Sequence, residues 1–164
     1  MTVLAPFDGS RLANKALETA ATFGDLLDEE LVVLTVIPDD SEYARERNWI
    51  TMGEPFDVDA IERGLQTRAA EIAPEATFQT ERVSSEEPTA TATTAVVREI
   101  RRVARELEAS VVFIGSENAG SVIAPHSSVG SPVANDQRYD VYVVREPGDE
   151  VDPAERADID STIE

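Results

Sequence analysis

The sequence predicts an α/β fold: a single domain with an open five-stranded parallel sheet and helices on both faces. Three observations carry this. Short apolar runs rich in β-branched residues recur, "VLAPF", "LVVLTVI", "SVVFI" and "VYVV" among them. Strands that are apolar on both sides are buried on both sides, as in a parallel sheet between helical layers. Segments with helical spacing of apolar residues separate them, and alternation of this kind defines the α/β class. A chain of 164 residues is the size of one domain and buries a core without disulfides.

Taken in order, "VLAPFD" (3–8) is a buried strand ending in the turn "DGS". Ser10 is a good N-cap for a helix whose inner face is Leu12, Ala13, Ala16, Leu17 and Ala20, with Gly24 as its stop. "LVVLTVI" (31–37) is a second buried strand, closed by Pro38. Residues 38–56, with Tyr43, Trp49 and Met52, have no clear period and read as a long loop with one helical turn. Val58, Ile61, Leu65, Ala69 and Ile72 mark a helix that Pro74 ends. "ATFQTERV" (76–83) alternates like a more exposed strand. "SSEEP" opens a helix reaching about Glu108, with Val96, Val97, Ile100, Val103 and Leu107 inside. "SVVFIG" (110–115) is a buried strand, a short helix is expected from Gly130, and "YDVYVV" (139–144) is the last strand. The acidic 146–164 segment, with its prolines and glycine, reads as a mobile tail on a 1–145 domain.

Composition excludes several classes of function. There is no cysteine and one histidine, His126, so disulfides, a thiolate metal site and a Ser-His-Asp triad are out of reach. His126 itself reads as an ordinary loop residue. No apolar run approaches a membrane span, and no signal peptide stands at Met1, so a cytoplasmic protein is expected. The formal charge is −19, from 33 acidic and 14 basic residues, with Lys15 the only lysine. Such a balance disfavours a nucleic-acid partner and suits a high-salt cytoplasm, where cations screen the self-repulsion.

In an open α/β sheet the ligand crevice lies beyond the C-terminal strand ends, where strand order reverses. "PFDGS", "TVIPDD" and "GSENAG…GSP" end there. Glycine lets a phosphate approach backbone N–H groups, and a helix N-terminus adds free donors and positive potential. Ser131 offers a hydroxyl, and Pro132 suits a first helical turn. Glycines also close strand–helix turns in general, so the spacing alone fits a plain turn equally well. Asp8 is an adenine contact, a turn residue bonding the backbone of Ser10, or both. Asp39 and Asp40 are candidate Mg²⁺ ligands or solvated loop residues. Trp49 and Met52 either cover the crevice or pack on a helix.

With this element order, the chain resembles the universal stress protein family over roughly residues 2–145. Pro6, Asp8 and Ser10 stand as in the family's "P-x-D-x-S" turn. Gly120, nine residues and Gly130-Ser131 match the second part of its glycine signature. The resemblance implies a Rossmann-like, adenine-nucleotide-hydrolase-like five-stranded fold, homodimers through the last strand (Val141, Tyr142, Val143, Val144), and, with the acidic composition, a halophilic archaeal source. One branch of the family binds ATP. By position, Pro6, Asp8 and the backbone around Val36 would then face adenine. Gly115 would lie by the ribose, and Gly120, Gly130, Ser131 and Pro132 would hold the phosphates, with Mg²⁺ as an accompanying ion.

The chain also departs from the signature. Four residues, "SENA", replace two between the first glycines; Glu117 would repel a triphosphate; Pro125 and His126 break the usual apolar stretch. If Gly115 sets the frame, Asn118 takes the place of the second glycine. Two functions therefore stand: an ATP-binding stress or signalling domain, or a homodimeric interaction module of the same fold without nucleotide. A dedicated enzyme is disfavoured, because "PFDGS" holds one glycine and no general base is evident. Any ATP hydrolysis is expected to be slow.

Overall fold

The computed structural model describes residues 1–84, 91–115 and 138–145. Within them lie β1 (Thr2–Pro6), α1 (Arg11–Leu27), β2 (Glu30–Pro38), α2 (Ser41–Glu46), α3 (Val58–Ile72), β3 (Thr77–Val83), α4 (Ala92–Glu106), β4 (Ala109–Gly115) and β5 (Asp140–Val144). The five strands form one sheet in the order β3-β2-β1-β4-β5, and every pairing is parallel.

Strand alternation divides the core into two layers. Val3, Ala5, Val33, Ile37 and Phe113 face α1 and α3, where Leu17, Ala20, Leu65 and Ala69 meet them. Leu4, Val32, Leu34, Val36 and Val112 point to the opposite face and pack on Ile100, Val103 and Ala104 of α4. Helices therefore cover both faces, which is why the central strands carry no polar alternation. Thr35 is the one buried polar side chain among the described residues, and its hydroxyl donates to the Phe7 carbonyl at 3.0 Å.

The helix caps follow local chemistry. Ser10 accepts from the Ala13 N–H, Asp57 from Asp59 and Ala60, and Thr91 from Thr94, each satisfying an otherwise orphaned donor. Gly24 is not the stop of α1. The helix runs on to Leu27, and Asp28 takes the left-handed cap at φ 54°, with its N–H on the Gly24 carbonyl. Gly24 lies where the chain turns back into β2; a Cβ there would sit 3.3 Å from the Glu29 carbonyl oxygen. Residues 38–56 hold a defined helix, α2, capped by Asp40. Helix α4 ends at Glu106, short of Glu108, which adopts φ 50°. The helix expected from Gly130 and the 146–164 tail lie outside the described residues. No helix among the described residues is long and apolar enough to cross a membrane.

Candidate functional site

The two neighbours of β1 are reached through opposite layers. α1 carries the chain from β1 to β2 on one face, and α4 carries it from β3 to β4 on the other. The layers diverge at the C-terminal ends of β1 and β4, and a cleft opens there. Its volume is about 640 Å³, counting the open space at its mouth. Pro6, Phe7 and Asp8 form one wall and Ile114 and Gly115 another; Leu34 and Val36 line it from β2. Helix α4 contributes Thr93, Val97 and Ile100, α2 contributes Tyr43, and Arg47 follows as the C-cap of α2.

Asp8 is held from several sides. Its Oδ1 accepts from the Ser10 N–H at 2.9 Å, closing the turn that precedes α1. Its Oδ2 lies 3.6 Å from Arg47 Nε, and its carbonyl accepts from the Trp49 indole at 2.7 Å. The Arg47 guanidinium rests 3.7 Å from the centre of the Tyr43 ring, and Tyr43 meets Trp49 edge-on with ring centres 5.5 Å apart. Burial pushes the Tyr43 hydroxyl up to about 12, against the opposing pull of Arg47. Tyr43 is therefore neutral at physiological pH and offers a donor and an apolar face, not a base.

The sequence-predicted residues divide into three groups. Pro6, Asp8, Val36 and Gly115 meet in the cleft. Gly120, Gly130, Ser131, Pro132 and His126 lie outside the described residues. Asp39 and Asp40 sit beyond the cleft lining. The Asp39 N–H bonds the Val83 carbonyl, and the Asp40 carboxylate caps α2 by accepting from Glu42 and Tyr43. No group of three potential ligands suited to a metal ion occurs among the described residues.

Trp49 packs against the site, whereas Met52 is 94 % exposed. Gly115 has a packing reason of its own, since a Cβ there would lie 2.8 Å from Leu12 Cβ. β5 is the sheet edge among the described residues. Val144 is buried, Val141 and Val143 pack beside Val97 and Ile114, and Tyr142 stacks on Phe113 while remaining 51 % exposed. Sequence reasoning missed Arg47 and the α4 lining. Arg47 carries no local signal, but Thr93, Val97 and Ile100 follow helical spacing toward the strand ends.

A doubly wound parallel sheet with a cleft at its switch point defines an open α/β domain with a ligand crevice at the strand ends. The chain belongs to the universal stress protein family, whose model matches residues 1–145. Solved structures share the architecture. A universal stress protein family member from Burkholderia pseudomallei is 20 % identical, with 87 % of this chain and 94 % of that one covered and a TM-score of 0.50. One from Archaeoglobus fulgidus, determined in complex with dAMP, is 17 % identical, with 86 % and 96 % covered and a TM-score of 0.50. The hypothetical protein MJ0577 is 19 % identical, with 88 % and 95 % covered and a TM-score of 0.51. No curated protein sequence matches the chain.

Proposed function

We propose that this protein binds ATP or a related adenine nucleotide and acts in stress response or signalling, as a homodimer in a high-salt cytoplasm. Asp8 and the Val36 backbone receive adenine, Gly115 lies by the ribose, and Gly120, Gly130, Ser131 and Pro132 take the phosphates. The observation that carries this reading is the cleft in which Pro6, Asp8, Val36 and Gly115 meet. The dAMP complex of the Archaeoglobus relative supports the ligand class. The half-exposed Tyr142 on an edge strand supports pairing of two copies.

Calorimetry in molar KCl with ATP, ADP and AMP tests the proposal. Saturable binding is expected, and Thr93→Trp, which fills the mouth from an exposed position on α4, is expected to weaken it by about tenfold or more, or about 1.4 kcal/mol. Absence of heat with all three nucleotides refutes it. One observation favours the alternative, an interaction module without nucleotide: both Asp8 carboxylate oxygens already face donors of the chain itself. On that reading the as-purified protein releases no nucleotide on denaturation.

A further inference from the structure

A second cavity opens on the far side of Asp8, at the N-terminus of α1. Its volume is about 920 Å³, counting the open solvent space at its mouth. Three arginines from three elements line it: Arg11 from α1, Arg47 beside α2, and Arg68 from α3. Two carboxylates, Asp8 and Glu46, share the lining, leaving three guanidinium groups against two acids. On a chain with 33 acidic and 14 basic residues, a local excess of positive charge is unusual.

Arg47 and Arg68 are incompletely used. Arg47 Nε is buried and makes no hydrogen bond among the described residues; its contact with Asp8 is an ion pair at 3.6 Å. Arg68 forms no ion pair among the described residues, although Arg82 and Arg102 each bridge two or more acids elsewhere. Its guanidinium lies over Gly9, which holds φ 78°; a Cβ there would come within 2.9 Å of Arg68 Nη1. Side-chain-free backbone thus lets Arg68 reach the start of α1.

We propose that this cavity binds a multiply charged phosphate-type oxyanion, held by the forked donors of Arg11, Arg47 and Arg68 and by the positive end of α1. Guanidinium forks match phosphate oxygens two at a time. The helix N-terminus adds favourable potential. The site lies at the N-terminus of α1, on the α2–α3 side of Asp8. The shared chemistry is phosphate, supplied either by a free polyphosphate or by the phosphate chain of a nucleotide lodged in the adjoining cleft.

The test is calorimetric titration of the full chain with sodium tripolyphosphate at fixed ionic strength, with and without saturating ATP. Fluorescence of Trp49, the only tryptophan, provides a second readout. One-to-one saturable binding is expected. Arg68→Gln and Arg11→Gln, both at exposed positions, should each raise Kd by about tenfold or more. Arg68→Lys should recover part of the loss, and Arg102→Gln, on α4, should leave Kd unchanged. Far-UV circular dichroism verifies that each variant is folded. Competition by ATP identifies a nucleotide's own phosphates as the occupant, whereas simultaneous binding identifies a separate anion. No nucleotide affinity is needed for the inorganic probe to bind, so failure of the nucleotide proposal leaves this one standing. Absence of saturable tripolyphosphate binding, or an Arg68→Gln loss no larger than that of Arg102→Gln, overturns it.

Discussion

Replacing Thr35 by valine removes one hydroxyl from the sheet while nearly preserving shape. Thr35 is 0 % exposed, and its Oγ1 donates to the Phe7 carbonyl at 3.0 Å. That bond and the Phe7 N–H to Leu34 carbonyl bond, 2.8 Å, tie the start of the Asp8 turn to β2. Without the hydroxyl, a carbonyl in a dry layer loses its donor, at a cost of about 1–3 kcal/mol. Burying the new methyl returns up to about 0.8 kcal/mol. The expected net loss is about 1–2 kcal/mol, and at 2–4 °C per kcal/mol for a chain of this size Tm falls by roughly 2–8 °C. Thermal and urea unfolding, followed by far-UV circular dichroism in matched KCl, measure it, and the m-value should not change. Thr35→Ser keeps the donor and separates the hydrogen bond from the methyl. A Thr35→Val protein as stable as the wild type would refute the claim that this bond anchors the turn.

Gly115→Ala places a Cβ 2.8 Å from Leu12 Cβ and forces α1 away from β4; a loss of about 1–3 kcal/mol is expected in denaturant melts. Tyr43 ionises at about 12 in the folded chain against 10 when free, so its contribution is complete below pH 10 and is lost as pH rises through 12. Between those values the wild type should lose stability more steeply than Tyr43→Phe, as measured by urea midpoints across that range. Arg102 pairs with Glu81, Glu99 and Glu106 on an exposed surface. Arg102→Gln should therefore cost less than about 1 kcal/mol at low salt and nothing measurable in molar KCl.

Much of the fold was legible because burial on both faces leaves a direct signature. "LVVLTVI" has no polar alternation, since Val33 and Ile37 meet α1 and α3 while Val32, Leu34 and Val36 meet α4. Short-range chemistry was equally legible. Ser10 caps α1 and Asp8 bonds the Ser10 N–H, as their spacing predicts. Gly24 misled because a missing side chain serves close approach as well as termination, and here it clears the Glu29 carbonyl. Helix α2 was reduced to a single turn because its six residues are too few to show a period. Arg47 and Arg68 gather at Asp8 from positions 39 and 60 residues away in sequence, a proximity that only the fold creates.

The most direct test of the nucleotide assignment is a crystal structure of the protein grown with ATP in molar KCl. Density for adenine is expected between Asp8 and the Val36 backbone, with the ribose beside Gly115. A cleft that holds only solvent at saturating ATP, with Arg47 still against Asp8, would contradict it.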